Sequence, residues 1–148
     1  MELILWRHAE AEDGMPGTER ELTTKGVKQA ERMAAWLKQK LPKGAVVLVS
    51  PARRAQQTAQ ALTRKFETSD AVGPATTPEA VLAAAGWPDG KATVIVVGHQ
   101  PTLGAVAALA LTGRALPWSV KKGALWWLER RERDAATVLR TVISPDLL

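Results

Sequence analysis

The sequence predicts an α/β fold: one three-layer domain over residues 1–148, with a mainly parallel central sheet, an antiparallel edge and helices on both faces. Three observations carry this expectation. The short apolar runs "LILW" (3–6), "AVVLV" (45–49) and "TVIVV" (93–97) are continuous rather than alternating, as in strands covered on both faces. Segments of helical spacing separate them. Two further strand-like segments, 124–128 and 137–143, follow one another across the charged turn "RRERD" (130–134), the pattern of an antiparallel pair.

Between the first two runs, Val27, Ala30, Ala34, Leu37 and Leu41 recur at helical spacing over 24–41. Thr23 or Thr24 is placed to cap the start, and Pro42 and Gly44 stop the helix. After the second run, Ser50 and Pro51 have the form of an N-cap followed by proline at the first helical position. Ala55, Ala59, Leu62 and Phe66 continue that helix along one face. Residues 68–90 weaken into a loop of small residues around one short helix, 78–85, ended by Gly86. "GHQP" (98–101) then leads into a helix over 102–111. No repeat, low-complexity segment or linker interrupts the chain.

Composition removes several function classes. The absence of cysteine excludes disulfides, thiolate metal sites and a cysteine nucleophile, and two histidines are too few for a histidine-rich metal cage. Twenty Lys+Arg against fifteen Asp+Glu give a formal charge of +5, so the surface attracts anions. The basic residues are dispersed and diluted by acids such as Glu31 and Glu67, unlike a nucleic-acid tract. No run approaches the ~18 apolar residues of a membrane span, and none has the form of a signal segment. The expectation is a cytoplasmic protein with neither nucleic-acid nor membrane partners.

The chemistry gathers at the carboxyl ends of the strands, where open α/β sheets bind ligands beside helix N-termini. Arg7 and His8 close the first strand, His99 closes the third, and Arg54 falls in the first turn of the helix after the second. Two guanidinium forks suit the oxygens of a phosphoryl group, and a helix N-terminus adds backbone N–H groups and a positive dipole end. Repulsion from those cations is expected to keep one histidine neutral and nucleophilic. The second stabilises charge or shuttles a proton. The ligand this set fits is a phosphate, and the reaction is phosphoryl transfer to a histidine.

In these residues the chain resembles the histidine phosphatase superfamily, and within it the small SixA-type phosphohistidine phosphatases. The blocks "LILWRHAEA", "LTTKGVKQA", "VLVSPARRAQQTA" and "VIVVGHQPTLG" occur in the expected order over roughly residues 2–104. The resemblance implies a phosphoglycerate mutase-like fold and a metal-independent, cofactor-free phosphatase. His8 matches the histidine that accepts the phosphoryl group, Arg7 and His99 match its close partners, and Arg54 matches the pocket arginine, leaving Arg53 to face solvent. Arg20, ahead of "LTTKG", is a further candidate for the pocket. Ala9 stands where the family often has glycine.

An acid that protonates the departing oxygen, as phosphomonoesterases of the family use, is poorly represented. Glu79 is the candidate by position, with Glu10 and Glu12 as competitors; the plain reading of Glu79 is an acid at a helix start. A phosphohistidine substrate needs no such donor, because its protonated form expels neutral imidazole. Only 44 residues separate Arg54 from His99, too few for the lid of larger relatives. The implied partner is therefore a signalling or phosphotransferase protein phosphorylated on histidine, and the alternative is a small-molecule phosphomonoesterase. A non-catalytic phosphate-binding module is disfavoured by the presence of both histidines and both pocket arginines. Of the six tryptophans, Trp36, Trp126 and Trp127 read as packing residues, and Trp118, beside Pro117, as packing or a docking surface.

Overall fold

Strand β1 (Glu2–Arg7) explains why its sequence is apolar at every position from 3 to 6. Leu3 and Leu5 point into one hydrophobic cluster and Ile4 and Trp6 into another, all four fully buried. The computed structural model describes residues 1–14 and 17–148. The remaining main elements are α1 (Thr24–Lys40), β2 (Val46–Val49), α2 (Arg53–Gln60), β3 (Glu67–Thr68), α3 (Pro78–Ala85), β4 (Thr93–Gly98), α4 (Thr102–Thr112), β5 (Leu125–Arg130) and β6 (Thr137–Ile143). Short 3₁₀ turns lie at Gly17–Glu19, Asp70–Val72 and Pro145–Leu147.

The six strands form one sheet in the order β3-β2-β4-β1-β5-β6. β1, β4, β2 and β3 run parallel, while β5 and β6 add an antiparallel edge, as the sequence predicts. Helices α1 and α2 cover one face with Met33, Ala34, Leu37, Ala55 and Ala59. Helices α3 and α4 cover the other with Val81, Ala85, Leu103, Val106 and Ala107. The result is the expected three-layer arrangement, and β1 and β4, buried on both faces, sit at its centre.

The first turn of α1 is held against the loop after β1. Thr23 caps the helix by accepting from the Gly26 N–H at 2.9 Å. A Cβ on Gly26 would collide with the Glu10 carbonyl oxygen, so glycine is required by this close approach. The stripe of α1 differs from expectation: Ala30, Met33, Ala34 and Leu37 are buried, whereas Val27 is 44% exposed.

Helix α2 departs further. Its N-cap is Ala52, without a side-chain cap, because the Ser50 hydroxyl is used elsewhere. It ends at Gln60, so Leu62 and Phe66 pack against the core from beyond the helix. The two-residue strand β3 lies at the edge of the segment read as loop. By contrast, α3 has the expected bounds, capped by Thr77 and closed by Gly86 at φ 75°. Trp126 and Trp127 occupy opposite faces of β5. The former stacks 5.7 Å from Trp118, and the latter packs edge-on at 6.1 Å from Trp36. Trp118 is thus a partly buried packing residue rather than an open docking surface.

Candidate active site

The parallel pairing of β1 and β4 builds the site. Arg7 lies opposite Gly98 in the register, so His8 and His99, one residue further on, leave the sheet side by side. The His8 N–H donates to the Gly98 carbonyl at 3.0 Å, and the two imidazole centroids stand 5.2 Å apart. β2, on the other side of β4, delivers α2 and Arg54 to the same rim. The three side chains are 8%, 6% and 4% exposed for His8, Arg54 and His99, a polar cluster at the end of an apolar sheet.

Hydrogen bonding fixes the tautomer of each ring. Guanidinium N–H groups only donate. Arg54 Nε donates to His8 Nε2 at 3.3 Å, and Arg54 Nη2 donates to His99 Nδ1 at 3.3 Å. Both ring nitrogens facing Arg54 are therefore acceptors. The second nitrogen of each ring is the donor: His8 Nδ1 to the Ala9 carbonyl at 2.8 Å, and His99 Nε2 to the Ser50 hydroxyl at 2.7 Å. Ser50, fully buried, also accepts from the Ala52 N–H at 3.1 Å. This is the task that takes its side chain away from helix capping. Ala9, fully buried, is clamped by donation of its N–H to Thr58 Oγ1 at 3.1 Å.

Both histidines are neutral near pH 7. Burial pushes His8 down to about 4, and the Arg54, Arg7 and Arg20 charges push the same way against the bond to the Ala9 carbonyl. Burial also pushes His99 down to about 3, helped by His8 and the same three arginines. The direction is the one the sequence predicts, but burial outweighs like-charge repulsion as its cause.

Arg7 and Arg54 are likewise lowered from the ordinary arginine value by burial. Arg54 Nη1 reaches the Gly17 carbonyl at 3.0 Å, and Arg7 Nη1 reaches the Val120 carbonyl at 2.9 Å. Arg7 Nε is buried and has no partner among the described residues.

These groups wall a cavity of about 180 Å³, completed by Ala11, Asp13, Arg20, Pro74, Gln100 and Lys122. Arg20 therefore lines the cavity, where its guanidinium makes a long contact of 3.5 Å with the Glu12 carbonyl. Arg53 instead pairs with Glu21 at 2.6 Å on the exposed face of α2. Glu79 is not brought to the cavity. It is exposed in the first turn of α3, which packs on α4 and the 70–72 turn, where it favours the helix dipole. Glu10 is also diverted, accepting the Thr23 hydroxyl at 2.9 Å.

Asp13, Pro74 and Lys122 line the cavity without a sequence signal as site residues, Lys122 on the segment 118–124. The segment is fastened by the Gly123 N–H to the His8 carbonyl (3.1 Å), Trp6 Nε1 to the Gly123 carbonyl (3.0 Å) and Gln100 Nε2 to the Trp118 carbonyl (3.0 Å). Among the described residues no group of three or more His, Cys, Asp or Glu side chains could hold a metal ion.

A parallel α/β sheet whose central strand ends carry two neutral histidines between arginines is the fold and site of a phosphatase with a histidine nucleophile. The chain belongs to the histidine phosphatase superfamily and is of the SixA type: the model for branch 1 of that superfamily matches residues 3–74. Phosphohistidine phosphatase SixA of Escherichia coli K12 is 33% identical over 127 residues, 79% of this chain and 78% of that protein. An uncharacterized protein of Mycobacterium tuberculosis (strain CDC 1551 / Oshkosh) is 34% identical over 108 residues, 68% of this chain; the match spans 66% of that protein's length. A solved structure of the protein histidine phosphatase SixA complexed with tungstate superposes with a TM-score of 0.84 at 29% identity, covering 99% of each chain.

Proposed function

We propose that this protein is a phosphohistidine phosphatase that removes phosphate from a histidine of a signalling or phosphotransferase protein in the cytoplasm, through a covalent phosphohistidine at His8. The observation that carries this reading is the tautomer of His8. Its Nδ1–H is occupied by the Ala9 carbonyl, so the lone pair of this cavity-lining ring is on Nε2, where it accepts Arg54 Nε at 3.3 Å; that donor passes to a phosphoryl oxygen as Nε2 attacks. A neutral imidazole so held is a nucleophile without prior deprotonation.

In the first step the Nε2 lone pair forms a bond to phosphorus as the bond to the leaving group breaks. Arg7, Arg54 and Arg20 receive the charge on the phosphoryl oxygens, which a loose transition state spreads over all three. Arg7 Nε, without a partner among the described residues, supplies one donor for such an oxygen. As the phosphoryl dianion enters, it favours protonation of His99 at Nδ1, turning that acceptor into a further donor. Water then displaces His8, and the electron pair returns to Nε2. The tungstate carried by the SixA structure, an oxyanion, agrees with a site of this kind.

The arginines supply the charge that a divalent cation supplies elsewhere. The small cavity, without a lid between Arg54 and His99, suits a histidine projecting from a protein.

The test is a trapping experiment with a substrate panel. Brief mixing with ³²P-labelled phosphohistidine protein should leave acid-labile label on His8, and His8→Ala should lose both label and turnover. Near-normal activity in His8→Ala removes the covalent scheme. Preference for sugar phosphates or phosphoglycerate over phosphohistidine turns the assignment to a small-molecule phosphomonoesterase.

A further inference from the structure

The outer wall of the cavity has no part in the scheme above. His8, Arg54 and His99 are more than nine-tenths buried and form its floor, whereas Asp13 and Lys122 are exposed and stand at its mouth. In-line displacement by His8 Nε2 puts the leaving group opposite the nucleophile, toward that mouth. Among the described residues lining the cavity, Asp13 is the one carboxylate. The other nearby acids are placed elsewhere. Glu10 is bonded to Thr23, Glu12 lines a neighbouring cavity with Thr18, Glu19 and Glu21, and Glu79 lies on α3.

Building on the phosphohistidine reading, we propose that Asp13 determines specificity by accepting the free ring N–H of the substrate's phosphohistidine and so holding that ring as an imidazolium. The chemistry explains why a carboxylate acceptor, rather than a proton donor, serves this leaving group. When the N–P bond of a phosphoimidazolium breaks, its electron pair returns to the ring nitrogen. A neutral imidazole departs with its other N–H in place, and no proton has to move. An alkoxide, by contrast, must be given a proton as it leaves.

The enzyme already supports its own ring in this way. When His8 Nε2 takes the phosphoryl group, Nδ1–H still donates to the Ala9 carbonyl, 2.8 Å away, so the intermediate is itself an imidazolium. The transfer thus runs between two imidazoles, each with its second N–H on an oxygen: the Ala9 carbonyl on the enzyme side, Asp13 on the substrate side. In the second step the water oxygen bonds to phosphorus, the His8 N–P pair returns to Nε2, and the water proton leaves with the phosphate product or solvent. The remaining charges around Asp13 are Arg7, Arg20, Arg54 and Lys122; His8 and His99 are neutral in the free enzyme, and His99 joins the cations when the phosphoryl dianion is bound. The phosphoryl dianion offsets those cations, which leaves the carboxylate for the ring.

The experiment compares wild type, Asp13→Asn and Asp13→Glu on a phosphohistidine peptide, phosphoserine and an aryl phosphate. Asp13→Asn should lower the ratio of kcat/KM for phosphohistidine to that for the aryl phosphate about tenfold, the scale of a lost charged hydrogen bond. Asp13→Glu should recover most of it. An unchanged ratio in Asp13→Asn, with wild type active on phosphohistidine, overturns the proposal and leaves the function reading standing. A selective loss on phosphoserine overturns it in favour of a proton donor. Wild type inactive on phosphohistidine but active on phosphoserine removes the function reading, and the proposal with it.

Discussion

The floor and the outer wall of the phosphate cavity are built by different means. The floor consists of side chains fixed by strand ends: the Arg7–Gly98 register sets His8 beside His99, and Ser50 and the Ala9 carbonyl fix which nitrogen of each ring accepts from Arg54. The outer wall, residues 118–124, is held through its main chain, by the Val120, Trp118 and Gly123 carbonyls and the Gly123 N–H. A floor made of side chains demands particular residue types at particular places. A wall fastened by carbonyls sets no residue type through those bonds; its sequence is constrained instead by core packing of Trp118, Val120 and Ala124 and by glycine at Gly123, where φ is 74°. Chemistry and shape are thereby separated within one small site.

The contrast is broken most directly from the floor. Arg54 bonds both imidazoles and the Gly17 carbonyl, so Arg54→Ala removes a charge from the transition state and loosens both rings. A fall in kcat of about 10²–10³-fold is expected, the cost of losing one donor to a developing anion. Steady-state kinetics on an aryl phosphate measures it. A loss confined to KM would show that Arg54 binds substrate and transition state alike.

The pH dependence sharpens the same point. Attack requires His8 Nε2 without a proton, and His8 is pushed down to about 4. The acid limb of kcat/KM, which reports the free enzyme, should therefore begin near pH 4, with activity lost as pH falls through it. The limb of kcat should lie higher, because a bound phosphoryl dianion favours the protonated rings. Both are read on an aryl phosphate after allowance for its own ionisation. A kcat/KM limb near pH 6.5 would place His8 among ordinary exposed imidazoles.

What the sequence made legible follows the same division. The doubly covered strands were readable because burial on two faces forces unbroken apolar runs, and their parallel pairing followed from the helices spaced between them; the order β3-β2-β4-β1-β5-β6 did not. Arg7, His8 and His99 were legible as a cluster because they close strands, and Arg54 because it opens the helix after one; Arg20 came from the resemblance alone, and all five line one cavity. Ser50 was assigned the wrong task because an N-cap serine and a serine supporting a histidine have the same local sequence; only the fold brings His99 Nε2 within 2.7 Å. Val27 fitted the periodicity of α1, yet it lies on the exposed border of the stripe. Asp13 and Lys122 carried no pattern, since their place at the mouth depends on how two loops meet across 109 positions of chain.

The smallest expected effect tests whether the wall acts mainly through its backbone. Gln100 ties the wall to α4 by hydrogen bonds: Oε1 accepts the Gly104 N–H at 2.7 Å, and Nε2 donates to the Trp118 carbonyl at 3.0 Å. The approach is close enough that a Cβ on Gly104 would collide with that carbonyl, so α4 and the wall are already in contact without Gln100. Four other ties remain when it is removed: Arg7 Nη1 to the Val120 carbonyl, the Arg7 N–H to the Ala124 carbonyl, Trp6 Nε1 to the Gly123 carbonyl and the Gly123 N–H to the His8 carbonyl. Gln100→Ala should therefore raise KM a few-fold with little change in kcat. It should also lower Tm by several degrees, since about 1 kcal/mol per lost bond moves a chain of this size by ~2–4 °C. Melting and steady-state kinetics on the same preparation separate the two effects. A kcat loss as large as that expected for Arg54→Ala would put Gln100 on the floor, and the division between side-chain floor and backbone wall would fail at that residue.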